Sequence, residues 1–168
     1  MGQEPHVQLR PAAEEDENFL FELYASTRRA ELALMPWPPE AKHGFLRMQF
    51  EAQKQHYGSY YPDADHSIVI TGETPVGRVY VDRQATEILI VDFTLLPEFH
   101  RRAIGRAVIS KLQAEAASSG KILTGHVERW NPARVFWQRM GFDLAEEDEI
   151  RERISWSAGR DRLPELSP

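Results

Sequence analysis

The sequence predicts an α+β fold: a mixed, mostly antiparallel central sheet flanked by helices. Three observations carry this. Two stretches in the first third of the chain repeat apolar residues at helical spacing. From Ser67 the period changes to that of strands, with Val- and Ile-rich runs separated by turn residues. Beyond Leu95, strand and helix patterns alternate, giving the order β-α-α-β-β-β-α-β-α-β-β.

Residues 7–10 alternate briefly and form a first strand ended by Pro11. Glu14, Glu15, Asp16 and Glu17 place acid in the first turn of a helix, where the helix dipole favours it. Phe19, Leu20, Leu23 and Ala30 continue that helix, and Pro36, Pro38 and Pro39 break it around Trp37. A second helix is expected over 40–57, where Phe45, Leu46, Met48 and Phe50 exceed one narrow stripe, followed by a loop over 58–66. Ile68-Val69-Ile70, a turn over 72–75 and residues 76–83 read as a hairpin. Glu87–Leu95 is nearly all apolar, so it is expected to be a strand buried on both faces. A helix over 104–118 buries Ile104, Val108 and Leu112 and is capped by Gly120. Ile122–Glu128 is a further strand, and 133–140 a short helix with Pro132 at its first turn and Gly141 past its end. Residues 142–144 and 150–156 form a closing hairpin. The whole reads as one domain over 1–160, with a loose tail over 161–168.

Composition excludes several classes of function. The 168 residues are 42% hydrophobic and 27% charged, as in ordinary globular proteins. Cysteine is absent, which removes disulfides, thiolate metal sites and cysteine nucleophiles and fits a reducing cytoplasm. Met1-Gly2-Gln3-Glu4-Pro5-His6 matches neither a signal peptide nor a myristoylation site, and no apolar run is long enough to span a bilayer. A net charge of −6 argues against nucleic-acid partners. His43, His56 and His66 do not have the spacing of a metal site, so no metal is expected.

Against this acidic background, the stretch from Phe93 to Ala107 stands out. It runs from a buried strand through Leu96-Pro97-Glu98-Phe99-His100 into a helix start carrying Arg101, Arg102 and Arg106. Free N–H groups and the positive end of the helix dipole suit a phosphate, and the arginines add formal charge. Asp92 lies within the preceding apolar strand, on one face with Ile88, Ile90 and Thr94. A carboxylate there must be paired, hydrogen-bonded or facing a wet cleft, and Arg78 or Arg83 on the neighbouring strand could pair it. Further on come Asn131-Pro132-Ala133, a favoured helix start, and Gly141-Phe142.

In order and spacing these residues resemble the acyl-CoA-binding half of the GNAT-superfamily N-acetyltransferases. The motif resemblance covers residues 76–142, and the order of elements follows the GNAT-like fold through nearly the whole chain. The resemblance implies acetyl-CoA as co-substrate, held by Leu95, Leu96 and the loop His100-Arg101-Arg102-Ala103-Ile104-Gly105, with Arg106 assisting. The family pattern there is Q/R-x-x-G-x-G/A. Gly105 is retained, whereas Ala103 stands at the first glycine and His100 at the leading Gln or Arg. Asn131, with Ala133, corresponds to the asparagine that positions the pantetheine arm. Asp92 corresponds to the acidic residue that acts as general base for the amine.

Trp137 stands where the family usually has a tyrosine that protonates the departing thiolate. An indole N–H donates a hydrogen bond but does not give up a proton, so the acid role does not carry over. Tyr80 or His126 is then a candidate acid, or the thiolate leaves directly. Trp37, Tyr80 and His126 are the expected acceptor-side residues. The implied activity is acetyl transfer from acetyl-CoA to a primary amine, on a small molecule or on a protein or peptide, by direct attack in a ternary complex. Ala103 and Trp137 keep open the alternative of a weak or inactive domain that binds acyl-CoA or a protein partner. A homodimer is compatible with either reading.

Overall fold

In the computed structural model, residues 5–159 are described, and they fall into two compact units: residues 5–83 with 91–108, and 84–90 with 109–159. The expected tail over 161–168 and the first four residues lie outside the described range.

The first unit starts with β1 (Val7–Pro11), a 3-10 turn (Glu14–Asp16) and α1 (Glu17–Ala33). Of the acids expected to serve the helix dipole, Glu14 and Glu15 lie in the first turn of the 3-10 helix and Glu17 in that of α1, while Asp16 does a different job. Asp16 is buried and takes both amino groups of Arg10, each at 2.7 Å, while Ala13 N–H donates to it at 2.8 Å. α1 buries Leu20, Phe21, Leu23, Tyr24, Ala25 and Leu32.

α2 (Pro39–Tyr60) begins with proline at its first position, where the missing N–H costs nothing. It runs three residues beyond the expected end. Tyr57 anchors that last turn by packing against Tyr80, and its carbonyl accepts from Tyr61 N–H at 2.9 Å. The cost of a helical Gly58, about 1 kcal/mol, is outweighed by these contacts. Phe50 meets Phe21 and Tyr24 edge-on or tilted, and with Leu20 and Ile68 they form the core between these helices and the sheet.

β2 (Asp65–Thr71) and β3 (Thr74–Arg83) form the hairpin around Gly72, whose φ is +61°. The turn is tighter than expected. β3 already includes Thr74 and Pro75, because a register shift at Val69/Ile70 sets Pro75 opposite Ile70, and proline is tolerated at such a bulge. β4 (Glu87–Leu95) has the expected bounds, but not burial on both faces. Ile88 and Ile90 are buried, while every residue over 91–95 is only half-buried. At Gly77 on β3, an added Cβ would lie 2.3 Å from the carbonyl oxygen of Thr94. Leu96 N–H donates to Val76 carbonyl at 2.8 Å, fixing the exit of β4.

α3 (Ile104–Ser119) begins in the first unit and continues into the second, ending at Gly120 with φ +66°. In the second unit, β5 (Ile122–Glu128) runs parallel to Glu87–Ile90. α4 (Ala133–Arg139), β6 (Asp143–Glu146) and β7 (Arg151–Trp156) complete it. The last two are the expected hairpin shifted by about a residue, and β7 also pairs antiparallel with β5. Leu123, Ile154, Trp137 and Phe142 are buried here. Among the described residues the hydrogen-bonded strand order is β1-β2-β3-β4-β5-β7-β6. The described residues thus form an α+β fold with a seven-stranded, mostly antiparallel sheet and flanking helices.

Candidate active site

The loop after β4 is built from backbone strain and charge. A 3-10 turn (Pro97–Phe99) leads to extended His100, and then Arg101 and Ala103 both adopt φ of +60°. Ala107 N–H reaches Ala103 carbonyl at 3.0 Å, so the first helical bond starts there. The N–H groups of Ile104, Gly105 and Arg106 therefore have no carbonyl four residues back within the helix. Left-handed residues next to such a helix start turn successive N–H groups toward one concavity, which suits an anion. Arg101, Arg102 and Arg106 are exposed, and the Arg102 guanidinium lies over the Phe99 ring at 5.3 Å.

Other expected ligand contacts are used within the protein. His100 Nε2–H donates to Leu95 carbonyl at 2.9 Å, tying the loop back to β4. Leu96 N–H is already bonded to Val76, and the Ile104 side chain is buried.

On β4 and α2 the first unit gathers a polar cluster. Asp92 Oδ2 accepts from Arg78 Nε at 2.8 Å and also from Arg78 Nη2. Thr94 Oγ1 donates to Asp92 Oδ1 at 2.9 Å. Arg78 Nη2 also donates to Gln53 Oε1 at 2.7 Å, and the Tyr57 ring lies 5.6 Å from the guanidinium carbon. Of the two arginines that sequence offered, Arg78 is the partner, and Arg83 bonds Asp65 instead. Burial, followed by the negative charge of Asp92, pushes the Tyr57 hydroxyl up to about 12. Tyr80 packs between His66 at 4.7 Å and Tyr57 at 5.3 Å. Trp37 is not joined to this cluster. It packs edge-on against Phe45 at 5.4 Å in the connection between α1 and α2.

His66 has a buried Nε2 without a hydrogen-bond partner among the described residues. Burial, then the positive charge of Arg78, pushes its titration down to about 4 against the opposing fields of Asp92 and Asp16. The neutral ring is thus the folded form. Its contribution to stability is full above about pH 6.5, where an unfolded histidine is also neutral, and is lost as pH falls from there toward 4. Chemical denaturation of His66→Phe, which keeps the ring stacked on Tyr80, should show a flatter pH dependence between pH 7 and 4.5. The difference should be about 1–2 kcal/mol at the acid end, once the water-exposed edge of the ring is discounted. Parallel curves for the two proteins would remove His66 as the cause.

In the second unit, Asn131 caps α4: its Oδ1 accepts from Ala133 N–H at 2.9 Å. Trp137 is buried between Phe136 and Phe142, each ring 5.1 Å away. Only 7% of it is exposed, so its packing role is plain. His126 is exposed on β5 and faces Glu147 at 3.0 Å. No cluster of three or more metal-ligating side chains occurs among the described residues.

Residues 20–142, more than half of the chain, match the model of the acetyltransferase (GNAT) family. The chain belongs to the GNAT acetyltransferase family. Its general chemistry is therefore acyl transfer. Solved structures of low identity share its fold. The PaiA N-acetyltransferase from Thermoplasma acidophilum, determined in complex with coenzyme A, superposes with a TM-score of 0.69 at 16% identity, covering 90% of this chain and 99% of that one. An acetyltransferase from Thermus thermophilus gives 0.64 at 17% identity, with 89% and 96% covered. Ard1 from Thermoplasma volcanium gives 0.59 at 13%, again with 89% and 96% covered. No curated protein matches the chain.

In this GNAT chain, Ala103 stands in the left-handed region with φ of +60°. A left-handed L-residue costs roughly 1–2 kcal/mol. A glycine there gives back about 0.4–1 kcal/mol to the freer unfolded chain. Ala103→Gly should therefore leave the melting temperature unchanged or raise it slightly, whereas the same change inside a helix loses about 1 kcal/mol. A clear drop on thermal denaturation would show that Ala103 is not left-handed in solution.

Sequence reasoning missed Gly77 and Gln53. Gly77 carried a readable signal, since glycine inside a strand marks a close approach of backbone. Gln53 carried none, because nothing in its spacing predicts a bond to a strand arginine.

Proposed function

We propose that this protein transfers the acetyl group of acetyl-CoA to a primary amine by direct attack. The observation that carries the reading is the loop: two left-handed residues, Arg101 and Ala103, open α3 with three exposed arginines around its free N–H groups. That chemistry fits the pyrophosphate of coenzyme A, the ligand named for the Thermoplasma acidophilum structure. Leu95, the loop over 100–106 and, by resemblance, Asn131 are assigned to acyl-CoA. Trp37, Tyr80 and His126 are assigned to the acceptor side.

In the proposed reaction the amine nitrogen bonds to the acetyl carbonyl carbon as the C–S bond breaks, and Asp92 takes the amine proton directly or through water. Trp137 supplies no proton. A thiol with a pKa of ~8.5 makes a tolerable thiolate leaving group, so an acid is helpful but not required. Acceptors on small molecules and on proteins or peptides both suit this chemistry. With no helix among the described residues long and apolar enough to cross a membrane, and no cysteine, a cytoplasmic setting fits.

Calorimetric titration with acetyl-CoA, then thiol release across a panel of alkylamines, amino acids and peptide N-termini, tests the reading. Arg102→Ala should weaken acetyl-CoA by about 1.5–3 kcal/mol while weakening a dephosphorylated pantetheine fragment far less. Equal losses for the two ligands would sink the phosphate assignment. The buried indole in place of the usual tyrosine favours one second reading, a domain that binds acyl-CoA without turnover. Tight acetyl-CoA binding with no thiol release over the whole panel would select it.

A further inference from the structure

We infer that Arg78 and Gln53 are positioning residues that hold Asp92 with one lone pair of Oδ1 open to receive a proton. This rests on the reading of Asp92 as the proton acceptor given above.

Arginines grip carboxylates in this protein in two ways. Arg10 grips Asp16 as a fork, one amino group on each carboxylate oxygen. Arg134 grips Glu152 in the same way, Nε on Oε2 and Nη2 on Oε1. Such forks bind both oxygens and hold structure. Arg151 puts both Nε and Nη2 on Oδ2 of Asp148, but there the N–H groups of Ile150 and Arg151 fill Oδ1. Arg78 takes this second form with no backbone donor on the other oxygen. Its Nε and Nη2 both donate to Oδ2 of Asp92, and neither reaches Oδ1. A carboxylate offers about four lone-pair positions. Arg78 fills the two on Oδ2 and Thr94 fills one on Oδ1, leaving one on Oδ1 without a partner among the described residues.

Gln53 explains the asymmetry. Its Oε1 accepts from the same Nη2 at 2.7 Å, pulling that end of the guanidinium toward α2 and away from Oδ1. Tyr57, one turn further along α2, lies against the guanidinium from the same helix face. Arg78 is only 7% exposed, so it has little room to adopt another pose while Gln53 is present. Without Gln53, Nη2 is free to swing into the ordinary fork and occupy Oδ1. The ion pair would survive, but its open acceptor would be gone.

Gln53→Leu, Gln53→Glu and Arg78→Lys in the full chain test this, using the amine that gives the fastest thiol release in the panel. Gln53→Leu should lower kcat roughly 10–100-fold, as expected for a misplaced reacting group, with acetyl-CoA Kd by calorimetry within about twofold of wild type. Gln53→Glu keeps an acceptor oxygen at the same place and should restore kcat to within about threefold. Arg78→Lys, which cannot put two donors on Oδ2, should show the kcat loss again should Gln53→Leu fail to fold. Wild-type kcat per folded molecule in Gln53→Leu, or loss in Gln53→Glu equal to that in Gln53→Leu, overturns the inference. The reading beneath it fails differently. Turnover at the wild-type rate in Asp92→Asn, or no thiol release from wild type with any amine, would remove Asp92 as acceptor and this inference with it.

Discussion

Gly77→Ala should cost the protein about 3 kcal/mol or more and weaken acetyl-CoA binding with it. The new Cβ would sit 2.3 Å from Thr94 carbonyl oxygen, 2.6 Å from Leu95 Cδ2 and 3.1 Å from Leu95 Cα. The leucine methyl can move, but the first and third of these atoms are backbone, so the strands must part. Overpacking of this kind costs typically ~1–3 kcal/mol, more where backbone is displaced. The damage lands on the exit of β4, from which the arginine loop follows directly. Two other glycines give a scale in the same denaturation experiment. Gly125→Ala meets Ile154 side-chain atoms and Ile90 carbonyl at 3.3 Å and should cost less. Gly44→Ala, on α2 with nothing within 4 Å, should be neutral or stabilising by up to about 1 kcal/mol. Equal melting of Gly77→Ala and wild type would mean that β3 and β4 do not approach so closely.

Asp92→Asn is expected to lower kcat by about 10²–10⁴, the usual worth of a positioned acid or base. It should also lower stability, because Arg78 is buried and would lose its counter-charge; breaking such a pair costs about 3–5 kcal/mol. The two effects must be separated. Rates are best normalised to folded protein, and acetyl-CoA affinity should hold in that fraction. Replacing both partners, as in Arg78→Leu with Asp92→Leu, should recover much of the stability and none of the turnover. Recovery of both would make Asp92 a structural partner alone.

The fold was largely legible because its signals are local. The bounds of β4 and β5 follow from apolar runs between turn residues, and α3 from its period and Gly120. The end of α2 was not, since it depends on Tyr57 meeting Tyr80 across the core. The loop over 100–106 was legible as a basic helix start. That Ala103 is left-handed could be posed as a question from sequence but answered only from backbone angles. The partner of Asp92 was open for a sharper reason. Arg78 and Arg83 are an odd number of residues apart and point to opposite faces of β3, so which of them shares a face with Asp92 depends on strand register. The register that matters is that of β3 on β4, set by the turn over 84–86, where Gln84 N–H donates to Glu87 carbonyl at 2.9 Å, and an alternating pattern does not reveal it.

The order of the strands also bears on how this protein behaves in company. A sheet edge exposes a row of unpaired N–H and C=O groups on which another chain can grow. Among the described residues, the edges are β1 and β6. β1 has five residues and ends in Pro11, which has no N–H to offer an incoming strand. β6 has four residues, with a carboxylate at each end in Asp143 and Glu146. A strand added there would have to align against that charge over a very short run. The long apolar strands, β3 and β4, are interior to the sheet, so the segments best suited to seed fibrils become available only when the chain opens.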